Sequence, residues 1–149
     1  MILALDLGNE FGWAIKQSVT IDSGWERLTS GKCHTGKKFE LFEHWTRELN
    51  DIDLSAIYFE DVKRHNGLHA ARAYCGYLAV LQMYAYKRGI SCMGVGVGQI
   101  KKFWTGSGRA TKEMMITDAN KRGFQTRNDN EADALALLHY VCRLNFNAV

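Results

Sequence analysis

The 149-residue chain has no proline. No helix or strand interior is forced to break, so its turns must come from glycine and small polar residues; there are 14 glycines. Its four cysteines (Cys33, Cys75, Cys92, Cys142) are scattered, with no CxxC pair. That argues against a zinc ribbon and for reduced thiols in a cytoplasmic protein. The richest apolar stretch, between Arg72 and Lys87, is too short to span a bilayer, so no membrane partner is expected. The N-terminal apolar run meets Asp6 too soon for a signal peptide. Repeats, low-complexity tracts and linkers are absent too, and residues 1–149 read as one domain, long enough to bury a core.

Net charge is also scarce, only +3, but it is unevenly spread. From Lys87 to Arg127 nine bases face two acids, Glu113 and Asp118, a local balance of +7. Such crowding is the footprint expected of a polyanion partner, although a solvated basic surface would look the same. The glycine-spaced MGVGVG lacks both the GxGxxG spacing and a following GK[ST], so no small-molecule cofactor is expected.

What is present begins with MILALDLGNEFGWAI. Apolar runs beside glycine predict strands over Ile2–Leu5 and Gly12–Lys16, with a third near Trp25–Thr29 before a loop from Ser30 to Lys38. Phe39, Phe42, Trp45 and Leu49 at helical spacing predict a helix over Phe39–Leu49. Ser55–Glu60 reads as a strand, Asn66–Tyr86 as a helix so apolar that more than one face must be buried, and Ile90–Val97 as a strand. A basic loop, KKFWTGSGRATK, follows. Helices over Thr111–Arg122, stopped by Gly123, and Asp129–Leu144 complete an α/β pattern with a mixed sheet.

Asp6 and Glu60 each end an apolar strand, and Asp133 sits early in an apolar helix. Taken singly, these are a turn acid, a surface acid and a helix-cap acid. Sharing one cleft, they would repel, by roughly 1–4 kcal/mol per pair at ~4 Å, unless cations lay between them. Hard oxygen ligands suit Mg²⁺, with Mn²⁺ substituting, and ions ~3.5–4 Å apart can clamp the attacking and leaving oxygens of a phosphodiester.

In this order LALDLG, IYFED, GQIKKFWTGSGRATK and NDNEADALALLHY resemble the RuvC family of Holliday-junction resolvases, nearest to its phage and prophage members, over almost the whole chain. The resemblance implies an RNase H-like fold with a mixed five-stranded sheet flanked by helices. It also implies a homodimer and Mg²⁺-dependent paired nicking of branched DNA. On the same grounds Asp6, Glu60 and Asp133 match the family's acids, and Lys101 and Lys112 its two active-site lysines. Where the family has a further acid this chain has Asn130, so the fourth metal ligand is either Asn130 or Asp129; Glu131 is the least favoured candidate.

Where bacterial members of the family that the chain resembles have an aromatic that stacks on bases, this chain has Lys63 and Arg64, and a basic pair would grip phosphate instead. Lys101, Lys102, Arg109 and Lys112 are the other candidate phosphate contacts, with Phe103 available to stack on a base. For Trp104 core packing is at least as good a reading. His65 and His69 read as a surface helix start, and His139 as a satisfied core histidine. Two other functions compete. One is an actin-like or sugar-kinase-like ATPase, whose phosphate loop LALDLGNEFGWAI resembles, but which needs a second lobe and gives Asp133 no role. The other is a junction binder without chemistry, suggested by Asn130.

Overall fold

The structure, a computed structural model, describes residues 1–29 and 35–146. Three strands, β1 (Ile2–Asp6), β2 (Glu10–Gln17) and β3 (Thr20–Arg27), form an antiparallel meander. Two more, β4 (Ala56–Asp61) and β5 (Ser91–Gly96), extend the sheet in parallel from β1, giving the order β3-β2-β1-β4-β5. The helices are α1 (Thr35–Glu48), α2 (Leu68–Arg88), α3 (Val97–Thr105), α4 (Lys112–Lys121) and α5 (Asp129–Phe146). A short 3-10 turn, Leu49–Asp51, follows α1.

Alternation along the strands divides the core. Leu3, Leu5, Ile57 and Phe59 pack with Phe42, Tyr77 and Leu81 of α1 and α2 on one face. On the other, Ala4 and Ala14 pack with Ile100, Met115, Leu135 and Leu138 from α3, α4 and α5. The small side chains on this second face let α5 lie close against β1 and β2. The result is an α/β fold with a mixed five-stranded sheet and helices on both faces.

Several boundaries differ from the sequence reading. β3 starts at Thr20, not near Trp25, because a two-residue turn at Ser18 (φ 53°) and Val19 pairs Gln17 directly with Thr20. The turn, not an apolar run, makes this strand. The loop expected over Ser30–Lys38 lies partly outside the described residues, as does Cys33, and Thr35–Lys38 already belong to α1. The stretch read as a basic loop opens inside a helix. Val97, Ile100, Lys101 and Trp104 share one face of α3, which ends at Gly106 with φ 83°. Glycines on both sides of its start masked that period.

α2 is buried along one face only, by Tyr74, Tyr77, Leu81, Tyr84 and Ala85, while Leu68, Met83 and Tyr86 are exposed. His139 does lie between the Trp104 and Phe124 rings, yet its Nε2 has no partner, so it is a core histidine but not a satisfied one.

Candidate active site

Asp6 and Glu60 meet because their strands end side by side. Leu5 stands opposite Phe59 in the parallel β1–β4 pair, and the next rung holds Asp6 and Glu60. Since Leu5 and Phe59 face α1 and α2, strand alternation turns both acids toward α5. The chain leaves β1 on one side through β2 and β3 and resumes on its other side with β4 and β5. Crevices beyond the carboxyl ends of strands at such a reversal are where open α/β sheets bind ligands. Asp6 and Glu60 flank that crevice.

Asp133 arrives from above. α5 rests its first turn on Gly12, where a Cβ would fall 1.8 Å from the Asn130 carbonyl oxygen. Ala132, Ala134 and Leu135, all fully buried, hold the helix down. Asp133 thereby shares a charge environment with both strand acids.

The electrostatics show that these groups act on one another. Burial, then Asp133 and Asp129, push the Asp6 carboxyl up to about 7 against the pull of Lys101 and Lys112. Burial, Asp6 and Asp133 hold Glu60 well above the usual carboxylate range, opposed by Lys101. Asp133 is raised to about 6, chiefly by burial, with Lys101 the largest opposing influence. Lys101 thus faces all three acids, while its Nζ donates to the Ala110 carbonyl at 3.4 Å.

Glu60 is 4% exposed, and its Oε1 and Oδ1 of Asp133 are buried with no hydrogen-bond donor. An unpaired buried carboxylate oxygen is costly, and a hard divalent cation is the kind of partner that would satisfy it. By donor chemistry the residues fit such an ion. Among the described residues, no three or more His, Cys, Asp or Glu side chains stand, as placed, where they could hold a metal ion together. The raised proton affinities of the acids reflect burial first and their mutual repulsion second.

The two candidates for a fourth ligand are placed differently. Asp129 is ion-paired with Lys112 and acts on both Asp6 and Asp133. What the structure ties down of Asn130 is its backbone, pressed on Gly12. The Glu131 carboxylate is taken by Ser23 (2.7 Å) and Thr126 (2.6 Å), away from the acids.

The candidate DNA contacts fall into two groups. Lys63 and Arg64 are exposed and, with Asp61 and Gly96–Gln99, line a cleft of about 680 Å³ just beyond Glu60. Lys102 and Arg109 are exposed around α3, and Lys112 begins α4, capped by Thr111. Phe103 is half-buried, its ring packed edge-on against Tyr140 with Arg143 beside it. Trp104 is core, its Nε1 bonded to the Met115 carbonyl and its face covered by Arg122 at 3.9 Å. The sequence reading missed the part played by Gly12, whose position under α5 depends on strand register. A second concavity of about 280 Å³, between α1 and α2, holds none of the candidate residues.

No protein-family model matches the chain, and no curated protein is similar to it in sequence. Solved structures are similar in fold. The Thermus thermophilus RuvC structure superposes with a TM-score of 0.73 at 19% identity, covering 97% of this chain and 96% of that one. T. thermophilus RuvC in complex with Holliday junction substrate gives 0.74 at 20%, over 91% and 88%. The fowlpox virus resolvase with substrate Holliday junction DNA gives 0.54 at 16%, over 94% and 97%. The architecture is therefore the RNase H-like α/β class. Within it, the chain has the fold of RuvC.

Proposed function

We propose that this chain is a single-domain, divalent-metal-dependent endonuclease of the RuvC type that nicks Holliday junctions and other branched DNA, acting as a cytoplasmic homodimer. The observation that carries the reading is the convergence of Asp6, Glu60 and Asp133 at the sheet's switch point, with two of their buried oxygens lacking any donor. The fold shared with two resolvase structures that hold junction DNA supports the same substrate. Among the described residues no helix is long and apolar enough to cross a membrane.

Asp6, Glu60 and Asp133 would hold the metal, Mg²⁺ with Mn²⁺ as substitute, and Asp129 rather than Asn130 completes the set. When bound, the metal supplies Lewis acidity at the phosphate and a more acidic water. Lys101, reaching the three acids from α3, is placed to stabilise the negative charge that grows on the phosphate in the transition state. Lys112 holds Asp129 and adds positive charge from the other side. Lys63, Arg64, Lys102 and Arg109 grip neighbouring phosphates, which positions DNA without reading its sequence. Branch geometry, more than base identity, then selects the substrate.

Dimerisation is assigned to the free face of α2. Leu68, Cys75, Met83 and Tyr86 lie exposed along it, and a two-fold pairing there would give two sites for two strands.

The test is a labelled four-way junction beside a matched linear duplex, each with Mg²⁺ and with EDTA. Paired nicks in the junction alone, lost in EDTA, are expected. An intact junction in both Mg²⁺ and Mn²⁺ would end the proposal.

A further inference from the structure

Trp25 belongs to neither apolar cluster and has no ring or cation contact among the described residues, yet it is 42% exposed. The other tryptophans are engaged: Trp13 beneath Gly24, Trp45 on Phe11 and Phe42, Trp104 under Arg122. An isolated exposed apolar residue is ordinary on a protein surface. Its position is what singles Trp25 out.

Trp25 stands opposite Gly12 in the β2–β3 pair, and Gly12 opposite Asp6 in the β1–β2 pair. Residues directly opposite share a face of the sheet. Trp25, Gly12, Asp6 and, on the next rung, Glu60 therefore form one row, all turned toward α5. Ser23, two residues earlier on the same face, confirms the orientation by bonding Glu131 of α5. Lys101, on α3 beside β5, and Lys63–Arg64 lie at the β4–β5 end of this row, and Trp25 ends the opposite side. Exposed Arg127, in the segment leading into α5, adds positive charge there, while Arg27, next along that face, is paired with Glu10.

We propose that Trp25 is a DNA-binding residue that stacks on a base of the strand being cut, on the far side of the acids from Lys101. The proposal rests on the branched-DNA reading above and deepens it by giving the bound strand a direction across the sheet. Two strand spacings separate Trp25 from Asp6, about 10 Å, which corresponds to ~3 stacked nucleotides of one DNA strand. Only Gly12 lies between them on the sheet, and the first turn of α5 fills the space above it. A strand with its phosphate at the acids would cross that turn to bring a base over the indole. At a branch point, where continuous base stacking is interrupted, such a platform has its greatest use.

The experiment measures junction binding in Ca²⁺, to hold cleavage off, by anisotropy and by tryptophan fluorescence. It compares the wild-type protein with Trp25→Phe and Trp25→Ala. Stacking predicts that the junction quenches wild-type fluorescence and that Trp25→Phe loses most of this quench while keeping most of the affinity. Trp25→Ala should bind about 5- to 100-fold more weakly, with an unchanged slope of affinity against salt because no phosphate contact is lost. A Trp25→Ala protein that binds as tightly as wild type, with the wild-type quench intact in Trp25→Phe, overturns the Trp25 assignment and leaves the nuclease reading standing. Wild-type protein that binds neither junction nor duplex overturns both.

Discussion

Gly12 lies directly under the carbonyl oxygen of Asn130, so close that a Cβ at position 12 would sit 1.8 Å from it. The absence of one side chain in β2 is what lets the first turn of α5 settle on the sheet and carry Asp133 toward Asp6.

Gly12→Ala should therefore harm the site more than the fold. The helix must lift, at an expected cost of about 1–3 kcal/mol or more, equivalent to ~2–4 °C in Tm for each kcal/mol. Junction cleavage should fall further than the lost folded fraction explains. Melting curves and cleavage rates on the same protein separate the two effects.

The metal-free protein should lose stability as pH rises from about 4 to about 7. Asp6 and Asp133 bind their protons more tightly folded (about 7 and about 6) than their ordinary value of 3.8. In that window the folded state holds more protons than the unfolded one, so raising the pH favours unfolding. Asp6→Asn should flatten this decline, and Mg²⁺, binding only the folded carboxylates, should oppose it. Melting temperatures in EDTA and in Mg²⁺ across the range supply the check; identical pH profiles for wild type and Asp6→Asn would contradict it.

Within the acidic set, Asp6→Asn and Glu60→Gln should abolish nicking while retaining junction binding in Ca²⁺. Asp129→Asn should weaken Mg²⁺ binding by about 10- to 100-fold, and Asn130→Ala far less. Calorimetric titration of Mg²⁺ into each variant distinguishes them. The opposite ranking would return the fourth position to Asn130.

The lysines should divide by role. Lys101→Ala should lower the cleavage rate by ~10²–10³-fold, as expected for loss of a group stabilising transition-state charge, with junction affinity little changed. Lys102→Ala and Arg109→Ala should instead weaken binding to every DNA alike, each lowering the log–log salt slope by about 0.9.

On the free face of α2, Tyr86 is 88% exposed. If that face pairs two copies, Tyr86→Asp should shift the protein to monomer in sedimentation without lowering its melting temperature below that of the free chain. A variant that stays dimeric would move the interface elsewhere.

Much of the site was legible along the chain because its signals are local. Asp6 and Glu60 each interrupt an apolar strand at its end, and Asp133 interrupts an apolar helix. The helix carrying Lys101 was not legible, since Gly94, Gly96 and Gly98 dilute the apolar spacing that Val97, Ile100 and Trp104 complete. Phe103 and Trp104 read alike in a basic segment. Only the packing of α5 and Arg122 shows that the first is partly covered and the second buried.

The sequence by itself determined every element type but α3, the uneven charge and the identity of the acids, because these follow from neighbours within a few residues. Tertiary structure alone decided that Asp6 and Glu60 share a rung, that Lys101 faces all three acids, that Asp129 is held by Lys112, and that Trp25 closes the row beyond Gly12. Each of those relations depends on strand register and helix docking, which are set by the joint packing of segments far apart in the chain.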